Sequence, residues 1–145
     1  CQYFRCIMIE SGEHQASQIN FLVIVPVMNF AQRMRNNRHF KTVFHNIFTN
    51  SIKFSNDGGT IEFFVEELES SVIISISDNG IGMEKEEMDR IFDRFYKVDT
   101  ARARNVEGSG LGLSIVQKIV ELHNGNVSVY STKGEGTTVR VELPK

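Results

Sequence analysis

From Phe40 onward the apolar residues change period, and that change limits what the chain can fold into. Residues 40–54 place Val43, Phe44, Ile47, Phe48 and Ile52 on one side of a helix. Residues 60–67 then alternate, with Ile61, Phe63 and Val65 on one face, and residues 72–77 form a second apolar run. A short helix is expected over 84–92. An amphipathic helix is expected over 111–123, where Leu113, Val116, Ile119, Val120 and His123 share a wide arc. Two further strands, 126–131 and 137–143, flank a Lys-Gly-Glu-Gly hairpin turn at 133–136. Asp57-Gly58-Gly59, Ser70-Ser71 and Asn124-Gly125 punctuate the elements. Helices and hairpins in this order give an α+β domain, a mixed sheet with helices on one face.

Residues 1–37 are less regular and are set apart from a domain spanning 38–145. Residues 11–18 form a polar break. In residues 19–27, Phe21, Val23, Val25 and Val27 alternate, which predicts a strand that Pro26 restricts to an edge. The 145-residue length fits one domain, and 41% hydrophobic with 23% charged residues is a folded composition. A net charge of −2 leaves no basic excess for nucleic acid or an anionic membrane. No apolar run reaches the roughly 20 residues of a membrane span. Two cysteines, Cys1 and Cys6, make neither a disulfide framework nor a zinc motif, which points to an intracellular, cytoplasmic domain.

Three groups of residues carry chemistry. On the first helix Asn46, Asn50 and Lys53 fall within about 60° of one another. Carboxamide oxygens suit a hard cation whose other ligands are phosphates, and an ammonium pairs with a phosphate. A solvated polar stripe is the plainer explanation of the same pattern. Asp78 ends a strand and is followed by Gly80 and Gly82, an arrangement that suits a carboxylate facing the amine of a base. An Asp-Asn-Gly turn is the plainer explanation there. Gly108, Gly110 and Gly112 lead directly into a helix, where backbone N–H groups bind anions. The loop is neither a Walker loop nor a dinucleotide fingerprint. The irregular stretch 96–110 before that helix is of a length commonly functional or disordered.

Order and spacing together are more specific than any one group. Residues 40–55 (FKTVFHNIFTNSIKFS) resemble the asparagine box of histidine-kinase ATP-binding domains. Residues 78–83 (DNGIGM) resemble the first glycine box, 91–99 (IFDRFYKVD) the phenylalanine box, and 108–116 (GSGLGLSIV) the second glycine box. The chain therefore resembles the ATP-binding catalytic domain of bacterial two-component sensor histidine kinases, of the GHKL or Bergerat-fold type. The resemblance implies a two-layer α/β sandwich with a mostly antiparallel sheet, and ATP and Mg2+ as cofactors. It implies Asn50 as Mg2+ ligand, with Asn46, Lys53 and Lys97 at the phosphates. Phe54 and Tyr96 would lie against the nucleotide. Asp78 would read the adenine amine, with Thr137 assisting through a water and Gly80 and Gly82 passing the base. Gly108, Gly110 and Gly112 would form the lid hinge and phosphate cradle, with Leu111 and Leu113 seating the helix. Phe92 and Phe95 would pack the lid base, and Arg102 and Arg104 sit in the lid.

The same resemblance implies partners: a dimerisation domain carrying the phosphoacceptor histidine and, through it, a response-regulator receiver domain. None of the four histidines, His14, His39, His45 and His123, has the phosphoacceptor context of the family, so the chain is expected to be inactive alone. An ATPase clamp is the alternative within the fold, but Asn46 stands where that class carries its glutamate base. A non-catalytic nucleotide-binding or docking module is the other alternative.

Overall fold

A computed structural model describes residues 2–9, 37–98 and 108–145. Five strands form one sheet: β1 (Gln2–Ile9), β2 (Thr60–Glu67), β3 (Ser71–Asp78), β4 (Asn126–Thr132) and β5 (Gly136–Pro144). Their order across the sheet is β1-β2-β3-β5-β4, and every pairing is antiparallel. The mostly antiparallel sheet is therefore observed without a parallel neighbour pair among the described residues. The physical reason lies in the crossover after β3. It delivers β4 to the edge, and the tight β4–β5 hairpin returns β5 between them. In register, Asp78 at the end of β3 faces Ile61 of β2 and Thr137 of β5.

Three helices accompany the sheet: α1 (Arg38–Phe54), α2 (Lys85–Met88) and α3 (Gly112–Leu122). Asn37 caps α1, its Oδ1 accepting the His39 N–H at 3.0 Å. At the other end the Ser55 hydroxyl and N–H both donate to the Ser51 carbonyl. Helices α1 and α3 pack on the same face. Phe40, Val43 and Ile47 of α1 and Val116 and Val120 of α3 meet Ile61, Val65, Val72, Ile74, Ile76, Val139, Val141 and Leu143 of the sheet. Burying each such aliphatic side chain contributes roughly 1.5–3 kcal/mol. This layer holds α1 and α3 side by side, which places their polar stripes around one opening.

Three expectations change. Ile52, expected on the apolar side of α1 with Val43 and Ile47, is 48% exposed. The regular helix over 84–92 is only Lys85–Met88 long. Beyond it the N–H groups of Arg90 and Asp93 reach carbonyls three residues back, a tightening that breaks the helical ladder. Strand β1 lies in a stretch with no clear pattern and pairs along all of β2. The strand expected over 19–27 falls outside the described residues.

Candidate functional site

Helix α1, the end of β3, the segment before α3 and the β4–β5 hairpin surround a cavity of about 330 Å3. Asp78 lies where strand and loop meet. Its Oδ1 accepts the Gly80 N–H at 3.1 Å, and the nearly fully buried Ser51 hydroxyl and the Thr137 backbone also bond it. Burial pushes its carboxyl above the usual 3.8, and those three hydrogen bonds oppose the rise without overcoming it.

The loop after Asp78 is clamped on both sides. Ile81 donates its N–H to the Phe54 carbonyl at 3.0 Å, and its own carbonyl accepts the Gly134 N–H at 2.7 Å. Met83 donates its N–H to Ser131 Oγ at 2.9 Å, while that hydroxyl donates to the Gly136 carbonyl at 2.8 Å and lies 2.9 Å from Thr137 Oγ1. Gly136 has φ +126°, and a β-carbon there would collide with the Asp78 carbonyl oxygen. Gly136→Ala is therefore expected to cost about 1–3 kcal/mol through the unfavourable backbone alone. The thermal midpoint should fall by several degrees; an unchanged midpoint would show that the hairpin does not need this close approach.

On the opposite side α1 presents Asn46, Asn50 and Lys53. A β-carbon built on Gly112 would lie 3.3 Å from Asn46 Oδ1, and one on Gly108 would lie 3.7 Å from Lys53 Nζ. The start of α3 thus runs directly along the polar stripe of α1. Gly110 (φ +71°) accepts the Phe95 N–H at 2.9 Å, which ties the two described ends of the intervening segment together. The Arg90 guanidinium sits 4.5 Å from the centroid of the Tyr96 ring and fixes that side chain.

Of the residues expected from sequence, Asn46, Asn50, Lys53, Phe54, Asp78, Gly82, Tyr96, Lys97, Gly108, Gly110, Gly112, Leu113 and Thr137 line the cavity. Gly80 and Leu111 stand behind it. Gly80 donates to Asp78, and the Leu111 carbonyl accepts the Ser114 hydroxyl and the Ile115 N–H. Phe92 packs against Ile91 and Val98 as expected, but Phe95 does not pack. It is 70% exposed with φ +64°, because the approach of Gly110 to its backbone turns the side chain outward. Arg102 and Arg104 lie outside the described residues. Ser51, Ile81, Met83, Ile91, Val98, Val129 and Val139 also line it, as do Ile47, Thr49 and Ser109, and exposed His45 borders it.

The sequence profile of histidine kinase-, DNA gyrase B- and HSP90-like ATPases matches residues 35–145. The chain belongs to that ATPase family. Within it, the chain is 46% identical over 104 residues to the sensor protein kinase WalK of Staphylococcus aureus, covering 70% of this chain and 25% of the relative. The chain spans a quarter or less of the length of the WalK sequences it matches. Among solved structures, the mycobacterial sensor histidine kinase MprB superposes with a TM-score of 0.64 at 27% identity, covering 73% of this chain and 70% of that one. Full-length ShkA, solved in complex with AMPPNP, superposes at 0.62 with 28% identity, covering 73% of this chain and 21% of that one. This is a catalytic ATPase domain of the histidine-kinase kind.

Proposed function

We propose that the chain binds Mg2+-ATP and supplies the γ-phosphoryl group to a histidine on a separate dimerisation domain, from which a response-regulator receiver domain takes it. The observation that carries this reading is one cavity joining a buried, hydrogen-bonded carboxylate to a stripe of carboxamides and an ammonium beside a glycine-rich helix start. Asp78 accepts from the adenine amine, with Thr137 beside it. Met83, Ile91, Val98 and Leu113 give the base an apolar bed. The triphosphate then lies toward Lys53, Lys97 and the N-terminus of α3, where unpaired backbone N–H groups favour anions.

The donor set fits Mg2+. Asn50, with Asn46 beside it, offers neutral carboxamide oxygens, which hold this ion when phosphate oxygens supply the remaining ligands and the charge. When bound, Mg2+ would neutralise charge on the phosphates during transfer. Hydrolysis by a bound water is less well supplied. Among the described lining residues Asp78 is the one carboxylate, and Ser51 and Gly80 already engage it. Asn46, in the stripe, cannot take a proton from water. No helix among the described residues is long and apolar enough to cross a membrane, and we place the domain on the cytoplasmic side of its parent sensor.

Titrating ATP into the chain with and without Mg2+ tests the reading. Mg2+ should tighten binding, and Asn50→Ala should remove most of that gain, ten-fold or more, while leaving Mg2+-free nucleotide binding within about two-fold. If Mg2+ tightens ATP equally in both proteins, the metal role of Asn50 is wrong.

A further inference from the structure

We propose that His39 and His123 form a binding site for a borderline divalent metal ion of the zinc class, outside the nucleotide cavity. His39 lies in the first turn of α1 and His123 directly after the last turn of α3. Helix packing brings them together across 84 residues of sequence, with Nδ1 of His39 3.3 Å from Nε2 of His123. Zinc binds imidazole nitrogen at about 2.0–2.1 Å in tetrahedral geometry, so two nitrogens on one ion lie about 3.3–3.4 Å apart. The observed separation matches that edge. Without metal this contact is a hydrogen bond, one of the two nitrogens carrying the proton; metal binding moves that proton to the other nitrogen of the same ring, so that both facing nitrogens present a lone pair to the ion. Neutral imidazole is also the ligand that borderline metals of this class prefer.

Both rings stand on fixed backbone. The His123 ring packs at a tilt on Phe40 of the core, with centroids 4.6 Å apart, and the backbone N–H of His123 donates to the Val120 and Glu121 carbonyls. The backbone of His39 is held by the Asn37 cap. The His123 side lies at a helix C-terminus, whose partial negative charge favours a cation, and the His39 side lies at a helix N-terminus, whose partial positive charge opposes it. No group of three or more His, Cys, Asp and Glu forms among the described residues, so water completes the coordination. A bound ion would join the first turn of α1 to the end of α3, the two helices that frame the nucleotide cavity.

The test titrates zinc chloride into the 15N-labelled chain and follows the imidazole nitrogens by long-range 1H–15N spectra. The expected result is that Nδ1 of His39 and Nε2 of His123 shift together and saturate at one equivalent, while His14 and His45 stay in place. His39→Gln and His39→Ala should each weaken the His123 response at least ten-fold and leave ATP affinity unchanged. Three results would overturn the proposal: no shift at either ring, shifts centred on His14 or His45, or a His123 response that survives both His39 variants intact.

Discussion

Asp78→Asn will weaken ATP binding by roughly ten-fold or more and, without nucleotide, will melt no lower than the unaltered chain and higher at neutral pH. The two effects share one cause. The carboxylate is held in a cavity where burial opposes its charge more strongly than the Gly80 N–H, the Ser51 hydroxyl and the Thr137 backbone support it. Its folded-state pKa is therefore raised, so the folded chain keeps the proton longer than the unfolded chain as pH rises. Stability linked to this group falls as pH climbs from the usual 3.8 through the raised value, and the cost stays in place at pH 7. An amide in the same place still offers one oxygen to the Gly80, Ser51 and Thr137 donors and carries no charge to bury. It also turns an NH2 group toward the adenine amine, so a donor meets a donor and leaves a buried group unsatisfied, at about 1–3 kcal/mol. The same reasoning makes the unaltered chain prefer ATP over GTP, because guanine carries a carbonyl where adenine carries the amine. Melting curves at pH 4 and pH 7 should show the advantage of the variant growing with pH. A variant that melts below the unaltered chain at pH 7, or binds ATP as tightly, would remove Asp78 from this role.

Local periodicity reached most of this fold because most elements are local. The β2 strand is read to the residue, since Ile61, Phe63 and Val65 alternate between two turn signals. The α1 and α3 helices are read within two residues at each end. Strand β1 was not legible. Gln2–Ile9 lacks strict alternation, and what makes it a strand is its distant partner β2. The site divides the same way. Asn46, Asn50 and Lys53 share a helix face that spacing alone reveals. Ser51 does not stand out, because a small residue on the buried side of a helix reads as filler. Only the arrival of β3 beside α1 gives its hydroxyl a carboxylate to bond. Ser131 is similar, since its three partners, Met83, Gly136 and Thr137, come from a loop and a hairpin that meet only in the fold. Phe95 failed in the other direction. Its place in the phenylalanine box predicted packing, and a backbone contact with Gly110 decided against it.

Incubated alone with γ-labelled ATP, the chain will acquire essentially no phosphohistidine, and an added helical-hairpin domain bearing a phosphoacceptor histidine will take up the label. Phosphoryl transfer needs the nucleophile in line with the leaving oxygen, and that placement accounts for about 7–11 kcal/mol of an intramolecular advantage. A bound nucleotide without a placed imidazole therefore reacts slowly. His45 is the residue that tests this most sharply, because it borders the cavity one position before Asn46. It is exposed on α1 and turned about 100° from Asn46 around the helix axis. That rotation takes it away from the stripe of Asn46, Asn50 and Lys53 that lines the cavity. His45→Gln should therefore leave transfer to the added domain within two-fold of the unaltered chain. Acid-labile phosphate recovered on His45 of the isolated chain would reverse the assignment, making that imidazole the nucleophile and the second domain unnecessary for the chemical step.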